Sequence, residues 1–124
     1  MEQQNNFNLS DTAAERAVLA GIFTYGSTAY FDVADIVSEK TFTVDSNMAI
    51  YKCIKHVLEN DDASQIDMPT ILSAASELNL SSFFDKKDEI KYLDAIGRFP
   101  VNLENVRKFA AKVRKLEIAR LLDN

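Results

Sequence analysis

The chain has 124 residues, one cysteine, 47% apolar and 27% charged residues, and a formal net charge of −5. That length fits one domain able to bury a core of its own. The lone Cys53 excludes an intramolecular disulfide and suits a reducing compartment, and no run nears the roughly 18 apolar residues needed to span a membrane.

The opening "MEQQNNFNLS" lacks the basic start and apolar stretch of a signal peptide. Residues 1–10 are therefore expected to be a disordered lead-in, and the expected setting is cytoplasmic. Three glycines and two prolines favour helices over a turn-rich β-sandwich.

The first helix is expected from Thr12 to about Phe23, with Thr12 and Glu15 at capping-box spacing. Ala14, Val18 and Ile22 form one stripe, and Ala13, Ala17, Ala20 and Gly21 a face of small side chains, so this helix is expected at the centre. A second helix spans about Thr28 to Val37. Phe42 then anchors a loop, and Asp45 or Ser46 caps a third helix reaching about Glu59. There Ile50, Cys53, Ile54, Val57 and Leu58 share one side, and Lys52, His56 and Glu59 the other.

Asp67 caps a fourth helix with Pro69 in its first turn. A fifth helix covers about Lys86 to Ile96. Gly97 is expected to terminate it and Pro100 to block its continuation. The last helix runs from Leu103 to about Leu122. No segment shows sustained strand alternation. The expected class is all-α: a compact head of about five to six helices (11–100), then a long C-terminal helix (101–124) that begins a helical hairpin.

Little in this sequence points to catalysis. Gly97 stands outside any Gly-rich phosphate loop, which demotes Arg98 as an anion site. Cys53 and His56 have metal-ligand spacing, but a closed zinc site needs about four ligands and the chain has no other Cys or His. His56 is expected to be solvated. Asp61, Asp62 and Asp67 lack the spacing of a calcium loop. Asp85, Asp88, Glu89 and Asp94 alternate with Lys86, Lys87 and Lys91, as on a solvated helix face. No catalytic, cofactor or metal residues are expected.

Charge is unevenly placed. Residues 1–100 hold 8 Lys/Arg and 16 Asp/Glu, a net of −8, whereas residues 101–124 hold 6 and 3, a net of +3. An acidic body repels phosphate backbones, so little direct nucleic-acid binding is expected. Lys108, Lys112 and Lys115 form the one basic ridge that could track a phosphate backbone. Opposite it, Val106, Phe109, Ala110, Val113 and Leu116 make an apolar stripe. Ile118 and Leu122 sit about 140–180° around from that stripe, with Leu121 between. Such a surface needs another partner, either a following helix or a second subunit, which makes the chain an expected part of something larger.

Four stretches in series resemble the N-terminal domain of DnaB-like replicative DNA helicases over residues 11–122. They are "TAAERAVLAGIF", "VADIVSEKTFTVDSNMAIYKCIKHVLEND", "QIDMPTILSAASELN" and "YLDAIGRFPVNLENVRKFAAKVRKLEIARLL". The resemblance implies a helical head followed by a hairpin, pairing across subunits into a collar on a hexameric ring. It implies primase and loader proteins as partners. The ATPase domain would lie outside this chain, so ATP and magnesium are expected only there. A Gln/Asn-rich start, Gly-Arg-Phe before the break proline, and "ASELNLSSFFDKKDE" depart from the family pattern and suit a divergent relative, such as a phage-encoded one. Val113, Leu116, Ile118, Leu121 and Leu122 are the residues expected to carry self-association. The rival readings are the helicase-binding domain of a primase and a free-standing helical nucleic-acid binder using the three lysines.

Overall fold

A computed structural model of the chain describes residues 9–122. Residues 1–8, the larger part of the expected lead-in, and residues 123–124 lie outside this range. The described residues form seven α-helices and one short 3-10 turn. The helices are α1 (Thr12–Tyr25), α2 (Ser27–Val33), α3 (Asp45–Asn60), α4 (Met68–Glu77), α5 (Ser81–Phe84), α6 (Lys87–Arg98) and α7 (Leu103–Leu122), with the 3-10 turn at Glu39–Thr41. No strand occurs among them, as an all-α chain requires. None of these helices is long and apolar enough to cross a membrane.

α1 is the central element, packed against α2, α3, α6 and α7. Its residues from Ala17 to Phe23 are all buried, because its apolar stripe and, from Ala17 onward, its small-residue face are covered, while Ala13 is exposed. Gly21 shows why the small face is there. A Cβ at that position would lie 3.0 Å from Val106 Cγ1 and closer still to Val106 Cγ2. The missing side chain lets α7 approach the backbone of α1.

The cap of α1 differs from expectation. Asp11 is the N-cap, accepting from the Ala14 amide at 3.0 Å. Glu15 instead turns inward, where it is almost fully buried. Its carboxylate accepts from the Thr43 amide (3.0 Å), the Thr43 hydroxyl (2.6 Å) and the Asn47 side-chain amide (2.9 Å). The Tyr92 hydroxyl donates to Asn47 Oδ1. Three donors satisfy a carboxylate that would otherwise be costly to bury, and the network ties α1, the start of α3 and α6 together.

The turn after α1 is pinned to the α3–α4 connection. The Ser27 amide donates to the Ala63 carbonyl at 2.8 Å, and the Ala63 amide to Ser27 Oγ at 3.0 Å. Gly26 between them adopts φ +58°, and a Cβ there would strike the backbone of Ala63 and Ser64. α2 ends at Val33, earlier than expected.

Asp67 caps α4 as expected, accepting from the Thr70 amide at 3.0 Å. α4 stops at Leu78, and Asn79 follows at φ 61°, a conformation Asn tolerates. The four-residue α5 was not anticipated.

Gly97 does not terminate a helix. It lies within α6, and Phe99 is the C-cap. The stop comes from Pro100, which disfavours the helical region for the residue before it; Phe99 is extended at φ −74°, ψ 120°. The joint to α7 is held by the Tyr25 hydroxyl, which donates to the Val101 carbonyl at 2.8 Å.

Beyond the joint, α7 packs back into the head. Val106, Ala110 and Val113 of α7 belong to the same buried cluster as Val18, Leu19 and Ile22 of α1.

Candidate self-association surface

α7 carries this surface, and its sequence sets both faces. Val106, Ala110, Val113 and Glu117 recur at helical spacing and are all buried against the head. The fourth inward position is a carboxylate, not an apolar group, and from there the apolar residues stand on another side. Ile118, Leu121 and Leu122 are 42%, 63% and 81% exposed. Separations of three and four residues place them on one face. Leu116 is half-buried beside Ser10, Asp11, Thr12, Ala13 and Lys112. Val113 is 1% exposed. It lies inside the chain's own core and has no surface to offer a second chain, which removes it from the expected set.

Polar contacts hold α7 along its length. Arg107 donates to both carboxylate oxygens of Asp35 at 3.2 Å each and also to the Asp32 carbonyl. Lys112 meets Asp11 Oδ2 at 2.6 Å. Arg114 donates to Glu117 Oε1 at 2.9 Å, and Arg120 to the Leu9 carbonyl at 2.7 Å. The basic ridge is therefore partly spent: Lys112 is engaged by Asp11, while Lys108 and Lys115 remain exposed.

Three carboxylates in this set titrate low; Asp35 is held below its ordinary 3.8 by the hydrogen bond from Arg107. Burial alone would raise Glu117, but the hydrogen bond from Thr41 and the Arg114 guanidinium outweigh it and hold it below its ordinary 4.5. Asp11 is held below its ordinary 3.8 first by the hydrogen bond from Lys112 and then by the Ala14 amide. Groups with lowered folded-state values stabilise the fold above their unfolded values, and lose that contribution as pH falls through the lowered ones. The thermal midpoint should therefore fall between about pH 5 and pH 3, and fall less in an Asp11→Asn, Glu117→Gln variant. Melting followed by circular dichroism at a series of pH values checks this. Equal slopes for the two proteins would show that these carboxylates do not tie α7 down.

The other candidates resolve into structural roles. Cys53 is fully buried, and burial pushes its thiol up to about 11. His56 is not simply solvated: its Nε2 lies 2.8 Å from Glu77 Oε1, linking α3 to α4. Arg98 donates to Asp94 Oδ2 at 3.0 Å, one turn back on α6. Among the described residues, no three His, Cys, Asp or Glu side chains gather as metal ligands would. Sequence reasoning missed two further exposed apolar residues flanking the joint, Phe99 and Leu103, and Phe31 on α2.

Comparison with known proteins adds the family. The N-terminal domain of DnaB helicase from Mycobacterium tuberculosis has the same fold, with a TM-score of 0.76 at 19% identity, over 91% of this chain and 76% of that one. No curated protein sequence matches. A family model described as the DnaB-like helicase N terminal domain matches residues 8–115, most of the length. The chain belongs to the DnaB-like helicase N-terminal domain family.

Proposed function

We propose that this domain is the oligomerisation and protein-docking part of a replicative hexameric DNA helicase. The observation that carries this reading is the end of α7. A helix with one face buried in the head presents Ile118, Leu121 and Leu122 to solvent together. Clustered apolar side chains at a helix end are stabilised by burial against another chain. The occupant we propose is a second copy, and repetition of such contacts builds a collar beside the motor. Half-buried Leu116 lies about 120–160° around the helix from these three, so it would meet a partner only through a separate contact. The domain works by assembly, without chemistry of its own; ATP and magnesium serve the motor domain of the complete helicase. Primase or a helicase loader docks on the assembled collar in the cytoplasm. Sedimentation of the chain over a range of concentrations tests the self-association on which this rests.

Direct DNA binding is a minor property in this reading. Lys112 of the ridge is exposed but paired with Asp11, which leaves Lys108 and Lys115 on a chain of net charge −5. Anisotropy titration with a single-stranded oligonucleotide at low salt is expected to give weak binding at best, and Lys108→Glu with Lys115→Glu should change it little. Tight binding that weakens steeply with salt and is lost in that variant would favour a nucleic-acid module instead.

A further inference from the structure

Thr41 stands out among the buried polar residues because α7 engages two of its polar groups. Its hydroxyl donates to Glu117 Oε1 at 2.7 Å, and its carbonyl accepts from Arg120 Nη2 at 3.2 Å. The same hydroxyl oxygen accepts from the Ser38 amide at 2.9 Å, which fixes its orientation within the 3-10 turn. Glu117 and Arg120 are three residues apart, so they reach the turn from one side of the helix. Arg120 spans further, to the Leu9 carbonyl, and Arg114 completes the coordination of Glu117.

These contacts begin where the apolar docking of α7 ends. Val113 is the last apolar α7 side chain buried in the core. Beyond it, polar contacts to one turn take over. A helix end held only by apolar packing can roll, because hydrophobic contact is non-directional. Hydrogen bonds to a rigid turn define a direction. Rolling α7 would carry Ile118, Leu121 and Leu122 round with it.

We propose that Thr41, Glu117 and Arg120 form a clip that sets the exit direction of α7, so that these three are positioning residues for assembly. The clip acts through the apolar face and not by touching the partner. This inference rests on the self-association reading above.

Three variants of the full chain test it. Thr41→Val keeps the shape and removes the hydroxyl, Thr41→Ser keeps the hydroxyl, and Arg120→Ala removes the second arm. Amide hydrogen exchange over residues 117–122 and the association constant are measured together. In Thr41→Val and Arg120→Ala, exchange there should speed up about tenfold, while α1 amides stay protected. Association should weaken by about the same factor, and Thr41→Ser should match the parent in both readouts. Unchanged exchange in Thr41→Val overturns the clip, as does a Thr41→Ser variant as disturbed as Thr41→Val. Faster exchange with unaltered association would overturn the positioning role. A monomeric parent chain would instead remove the self-association reading, and the exchange rates would still decide whether the clip holds.

Discussion

Ile118→Asp combined with Leu122→Asp is expected to weaken self-association by a factor of 100 or more while leaving the far-ultraviolet circular dichroism of the head unchanged. Full burial of an aliphatic side chain contributes about 1.5–3 kcal/mol. Losing two such contributions costs about 3–6 kcal/mol, before the penalty for desolvating two carboxylates. The folded monomer bears little of that cost, because both positions are exposed in it. Substitution of an exposed helical position usually changes stability by no more than about 0.5 kcal/mol. The contrast between a large effect on association and a small one on folding is the signature of a surface residue that binds. Sedimentation velocity and thermal melting of the variant measure the two sides. Val113→Asp is the opposite case: it should unfold the domain, since that residue sits in the core.

The second large effect is expected at Gly21. Gly21→Val should destabilise the domain by about 3 kcal/mol, which for a chain of this size lowers the thermal midpoint by about 10 °C. Two contributions oppose each other. Removing glycine from a helix interior gains up to about 1 kcal/mol. Against it, the new Cβ falls inside the contact distance of Val106 Cγ2, and 3.2 Å from Val106 Cβ. Val106 has no solvent to move into, being fully buried, and a helical valine has one strongly preferred rotamer. The clash therefore outweighs the gain. Pairing Gly21→Val with Val106→Ala should recover part of the loss, so that the double variant is more stable than the sum of the single costs. Full additivity in that cycle would mean α1 and α7 do not meet at this point. Because Val106 packs on Gly21 near the start of the helix that carries Ile118, Leu121 and Leu122, the single variant should also weaken assembly.

Sequence alone was informative where structure is decided locally. Asp67 caps α4 through a partner three residues away, and the span of α7 follows from a run without Gly or Pro after Pro100. The small face of α1 is readable in the same way. Misreadings arose where distant partners decide the outcome. Glu15 has capping-box spacing, yet its carboxylate is satisfied by residues 28 and 32 positions along the chain. No local rule reveals that. Gly97 looks like a helix stop, but the steric demand of Pro100 on Phe99 acts first. The helix at Ser81–Phe84 is too short to show a period.

The candidate site was half readable. The change of apolar face after Leu116 is visible in the spacing, and Ile118, Leu121 and Leu122 are indeed solvent-facing in the monomer. Val113 was assigned to the wrong role because a stripe does not say which partner covers it. Glu117 was overlooked although its position continues Val106, Ala110 and Val113. A carboxylate on a core-facing register was the available signal, and its partner Thr41 lies 76 residues away.

Self-association through the end of α7 is tested most directly by sedimentation equilibrium of the parent chain from micromolar to millimolar concentration, beside the Ile118→Asp, Leu122→Asp variant. The expected result is a mass that rises with concentration to multiples of 13.9 kDa for the parent, and stays at one chain for the variant over most of that range. A parent chain that remains monomeric throughout, or a variant that assembles as readily as the parent, would contradict it.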